Sequence, residues 1–65
     1  MSRDARINPV AGDVLAIGIS QWIVHVVKPE YIGLLRMGSY STIEHGKFRS
    51  FFKLASTVRH GDEGK

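Results

Sequence analysis

The sequence predicts a mainly β domain with one C-terminal helix: a small curled antiparallel sheet that the helix closes at one end. Three observations predict it. Four β-branched, strand-like segments lie between residues 14 and 45, separated by glycine, proline and serine breaks. All three phenylalanines, Phe48, Phe51 and Phe52, fall together at helical spacing just after those segments. With 65 residues, there is room for a single domain.

Residues 1–8 are polar and lack periodicity, so they read as a flexible arm. Asn8-Pro9 and Gly12-Asp13 are turn signals at the start of a domain spanning residues 9–57. Val14 to Ile19 reads as the first strand, with the bulkier Leu15, Ile17 and Ile19 facing inward. Gly18 ends or bulges it, and a tight hairpin near Ser20-Gln21 follows. Gln21 to Val27 is a second strand, with Trp22, Val24 and Val26 on one face and Ile23, His25 and Val27 on the other. Lys28-Pro29-Glu30 closes it, because proline cannot donate to a central ladder.

Tyr31 to Met37 is a third strand, in which Ile32, Leu34 and Arg36 alternate against Tyr31, Gly33 and Leu35. Gly38-Ser39 turns the chain into a fourth, less apolar strand, Tyr40 to His45, suited to a sheet edge. From Lys47 to Ser56 the period becomes helical. Phe48, Phe51, Phe52, Leu54 and Ala55 share one arc, and Arg49, Lys53 and Ser56 the other. Residues 58–65 read as a disordered tail. Short strands joined by tight turns favour a curled sheet or a barrel of the Src-homology-3-like kind, with the helix Lys47–Ser56 closing one end.

Composition narrows the function. A single core of this size is worth about 3–5 kcal/mol, and an enzyme pocket of about 300 Å³ would remove much of it. The chain has no cysteine, so it lacks disulfides and thiolate metal sites. Its histidines, His25, His45 and His60, are too scattered to form a local ligand pair. The six carboxylates, Asp4, Asp13, Glu30, Glu44, Asp62 and Glu63, fall mostly in turns and tails, where solvated acids belong. No catalytic group, metal or cofactor is expected. The most apolar stretch, Val14 to Val27, is too short and too interrupted to span a bilayer. The charged opening Met1–Arg6 has no apolar run behind it, so a complete small cytoplasmic protein with no membrane partner is expected.

Binding remains. The net charge is +3, and residues 44–59 carry Lys47, Arg49, Lys53 and Arg59 against Glu44 alone. Lys47, Arg49 and Lys53 are candidate phosphate contacts, since a short basic helix can lie along a nucleic-acid backbone. A solvated outer face opposite a Phe-rich core face predicts the same pattern. Trp22, Ile23, His25, Val27, Tyr31, Arg36 and Tyr40 are candidate partner contacts. The first strands carry apolar residues on both faces, and one short helix can cover only one. A homo-oligomer or a protein-capped sheet is therefore expected, unless the sheet closes and buries both faces. A strand tryptophan flanked by valines is ordinarily core. Tyr31 and Arg36 fall on opposite faces, so they do not form one patch with Tyr40.

The opening Arg3-Asp4-Ala5-Arg6-Ile7-Asn8-Pro9, followed by Gly12-Asp13-Val14-Leu15, short strands and a helical end with spaced aromatics, resembles small proteins of tailed bacteriophages and prophages. The likeness runs through residues 3–55. Their usual Asp-Pro-Arg is here Asp4-Ala5-Arg6. The resemblance implies a phage or mobile-element origin, a strand-rich fold and an accessory or host-modulating role in the bacterial cytoplasm. It carries over no functional residues. Three roles follow: docking on a host or phage protein, nucleic-acid binding, or a structural part in virion assembly.

Overall fold

In a computed structural model, which describes residues 4–61, the chain forms five strands and one helix. They are β1 (Val14–Ile17), β2 (Ser20–Val27), β3 (Ile32–Arg36), β4 (Ser39–Ile43), α1 (His45–Phe51) and β5 (Ser56–Arg59). The strands make one curled antiparallel sheet in the order β4-β3-β2-β1-β5. The mainly β class with one covering helix is as the sequence predicts.

Register explains which residues reach the core. Leu15 sits opposite Trp22, and Val24 opposite Leu34. Opposed residues share a face, so these four define the inner face. There Leu15, Val24, Ile32 and Leu34 are buried with Phe48, Phe52, Ala55 and Ala5, and Trp22, Ile17 and Ile43 pack at the margin. A register shift between Val24 and Val26 breaks the strict alternation expected of β2. Beyond it Val26 faces Gly33 and Val27 faces Ile32.

Two tight turns lie at one end of the sheet. Gly18 (φ 62°) opens the turn Gly18-Ile19, and Met37 (φ 51°) with Gly38 (φ 81°) forms the other. The second needs positive φ at both central residues, which suits glycine and strains methionine. The hairpin at Gly18-Ile19 lifts Ile19 off the sheet, so it is fully exposed and does not face inward as expected.

The helix is shorter than the predicted Lys47–Ser56. It ends at Phe51, with the Phe52 N–H donating to the Phe48 carbonyl at 2.9 Å and Ala55 N–H to Phe52 at 3.1 Å. The chain then turns back, and Ser56-Thr57-Val58-Arg59 adds to the free edge of β1. β-branched Thr57 and Val58 suit that ladder. The disordered tail expected from residue 58 is corrected over residues 58–61, and residues 62–65 lie outside the described part. Phe51, the last helical residue, sits at the margin of the core, and early termination places Leu54 in the turn beyond it. Phe51 is 50% exposed and Leu54 is exposed in the turn, while Phe48 and Phe52 are fully buried.

The flexible arm is corrected as well. From residue 4 the chain is a compact turn, with Ile7 and Asn8 N–H both donating to the Asp4 carbonyl, and Ala5 buried. Residues 1–3 lie outside the described part. Asp13, expected in solvent, is fully buried. Its carboxylate accepts from the backbone N–H of Val10 at 2.9 Å and from that of Gly61. One side chain thus joins the entry and exit segments. A Cβ on Gly61 would collide with the Ala11 carbonyl and with Asp13 N, so only glycine lets the exit segment approach.

Candidate docking surface

The sheet topology gathers several loops at one end. β1 and β3 run in the same direction, because each pairs antiparallel with β2. The β1–β2 turn at Ile19 and the β3–β4 turn at Met37 therefore lie at the same end. β5 starts there too, since Ser56 pairs with Ala16, and the α1–β5 turn carrying Leu54 leads into it. Ile19, Met37 and Leu54 are the three most exposed large apolar residues of the described chain. They come from three separate loops and converge at one end.

Two depressions open at this end, one on each face of the sheet. A groove of about 520 Å³ has Ile23 and Leu35 along the sheet, Ile19 and Met37 at its turns, and Ser20, Gln21 and Arg36 as its polar lining. A smaller hollow of about 270 Å³ is lined by Ile17, Phe51, Leu54 and Ala55, with Ser50 and Lys53. Exposed apolar clusters with a polar margin are the usual form of a protein contact.

The polar groups at this end are held in place. The Arg36 guanidinium lies 5.3 Å from the Trp22 ring centroid and donates to Ser20 Oγ at 3.1 Å. Trp22 in turn meets Phe51 and Phe52 edge-on, at 5.3 and 5.5 Å. Arg6 pairs with Asp4 at 3.1 Å and donates from Nη1 to the Lys53 carbonyl at 2.9 Å. The side-chain hydrogen bond from Arg6, with its backbone N–H and charge, holds the Asp4 carboxyl below its ordinary range. The two remaining exposed carboxylates of the described chain, Glu30 and Glu44, sit at the opposite end. Glu30 lies in the β2–β3 turn, and Glu44 follows Ile43, which pairs with Ile32 at the start of β3.

The predicted partner residues do not form one patch. Ile23, His25 and Tyr40 share the outer face, where the His25 and Tyr40 rings meet edge-on at 5.7 Å. Tyr40 lies across Gly33, so closely that a Cβ there would come within 2.5 Å of its hydroxyl. Trp22 and Arg36 belong to the inner face beside the helix end. Val27 and Tyr31 flank the far turn, where Lys28 N–H donates to the Tyr31 carbonyl at 2.8 Å. The phosphate candidates are also divided. Lys47 and Arg49 are exposed on α1, while Lys53 lies past its end, so Arg49 and Lys53 do not share a helical face.

Sequence reasoning missed Ile19, Leu35, Met37 and Leu54 as surface residues. The Met-Gly dipeptide at residues 37–38 was the available signal, because a tight turn places its central side chains in solvent. Among the described residues no group of three or more His, Asp or Glu could hold a metal, and no helix is long and apolar enough to cross a membrane. Comparison with protein families, with curated proteins and with solved structures gives no match.

Proposed function

We propose that this chain is a non-catalytic binding protein that docks on a protein partner through the hairpin-turn end of its sheet. One observation carries this: the three most exposed large apolar side chains lie at that end, Ile19 and Met37 flanking a groove and Leu54 a separate hollow. A soluble domain gains nothing in folding from such residues, and their clustering is what an interface requires. The resemblance of the opening to small phage proteins supports an accessory or host-modulating role in a bacterial cytoplasm.

The test compares wild type with a doubly substituted Ile19→Glu, Met37→Glu chain. Both sites are exposed, so the variant folds, as circular dichroism would verify. Proteins captured from bacterial lysate by wild type and lost from the folded variant support docking at this end. Identical captures by both chains sink it.

A second role, in nucleic-acid binding, is favoured by the exposed Lys47 and Arg49 on a helix with no acidic residue in its first turn. It predicts binding of generic DNA or RNA that weakens steeply with salt.

A further inference from the structure

We infer that the hairpin-turn end receives an acidic protein segment whose apolar side chains seat in the groove between Ile19 and Met37. The inference rests on the docking role proposed above and names the chemistry of its partner. Three features carry it.

Charge is the first. Arg36 borders the groove, and no carboxylate lines it. Asp4, on the helix side of this end, is already paired with Arg6. Glu30 and Glu44 lie at the other end. The groove between Ile19 and Met37 thus carries one cation, Arg36, and no carboxylate, and a partner with carboxylates flanking its anchors is complementary. The same charge argues against a second copy seated groove to groove, which would bring Arg36 against its own equivalent.

Shape is the second. A groove of about 520 Å³ between two turns takes side chains from an extended segment. A flat bilayer surface or a phosphate backbone has no need of it.

Strain is the third. Met37 holds a left-handed backbone conformation that asparagine or glycine would adopt more easily. A strained, exposed, apolar residue at the mouth of a groove is better explained by contact than by folding.

The test is fluorescence anisotropy on the full chain with four probes. These are a labelled peptide alternating Glu with Leu and Phe, the same peptide with Lys for Glu, a single-stranded thymidine oligonucleotide, and vesicles containing phosphatidylglycerol. The acidic peptide should bind best, and its binding should weaken as salt rises. Met37→Asn should weaken it at least about tenfold, as expected of an anchor residue. The melting temperature of that variant should be equal to or higher than wild type, which separates lost contact from lost fold. Arg36→Gln should erase the preference for the Glu peptide over the Lys peptide.

Equal binding of both peptides, still weakened by Met37→Asn, would overturn the acidic preference while leaving the docking end intact. Acidic-peptide binding that Met37→Asn does not weaken would overturn the placement. Binding of the oligonucleotide or vesicles in preference to the peptide, or no peptide binding at millimolar concentration, would overturn the inference. So would sedimentation as a dimer that Met37→Asn dissociates, since a second copy would then occupy the site.

Discussion

Phe52→Ala should leave the chain unfolded in water, whereas Phe51→Ala should leave it folded. Phe52 is fully buried, and its ring lies 4.6 Å from Phe48, 4.9 Å from Phe51 and 5.5 Å from Trp22 between centroids. Truncating such a residue costs about 3–5 kcal/mol, which matches the whole stability expected of a core this small, about 3–5 kcal/mol. Phe51 is only half-buried. Full burial of a phenylalanine is worth about 1.5–3 kcal/mol, so half of it, with about 0.5 kcal/mol for its edge-on ring contacts, gives about 1–2 kcal/mol. Urea unfolding followed by circular dichroism, with Trp22 fluorescence as a second probe, separates the two. If Phe51→Ala costs as much as Phe52→Ala, or if Phe52→Ala melts within a few degrees of wild type, the assignment of the core is wrong.

Asp13→Ala should destabilise the domain by about 1–3 kcal/mol, because it removes the acceptor of the partly buried N–H groups of Val10 and Gly61. Hydrogen exchange should show the Gly61 amide losing protection in that variant, and an unchanged rate would refute the clamp. Asp4 predicts a pH effect: its carboxyl lies below the ordinary 3.8 in the folded chain, so the contribution of its pair with Arg6 is present above that value and is lost as pH falls through the folded one. Melting of wild type should therefore drop further below about pH 3.8 than melting of Asp4→Asn, and parallel curves would discount the pair. Reversing Lys47 and Arg49, both exposed on α1, to Glu should leave the fold intact and abolish any salt-dependent DNA binding. A wild-type chain with no gel shift at low salt would dismiss the nucleic-acid role.

Much of the sheet was legible because a two-residue period is read directly from the chain. Val24 and Leu34 face inward, and β4 is an edge, as the alternation and its polar composition indicate. The helix was only half legible. Phe48 and Phe52 pack as spaced, but a run of apolar residues does not say where a helix must stop for the chain to reach β1. The competing ladder decided that, and it converted Ser56–Arg59 from helix end and tail into β5. Asp13 was hidden for the same reason: its role depends on Gly61, 48 residues away. The docking end was less legible still. Arg36 and Ile23 were candidates, but Ile19 was read into the core and Leu54 into the helix. Only the strand directions bring three distant loops to one end.

The most direct test of docking at that end is a two-dimensional amide NMR spectrum of the labelled chain, titrated with the acidic peptide. Docking there predicts that the largest shifts fall on Ile19 and Met37 and on the groove residues Ile23 and Leu35. Tyr40 to Thr42 at the β4 edge, and Lys47 and Arg49 on α1, should stay in place. Shifts concentrated on that edge or on that helix, with Ile19 and Met37 unmoved, would contradict it.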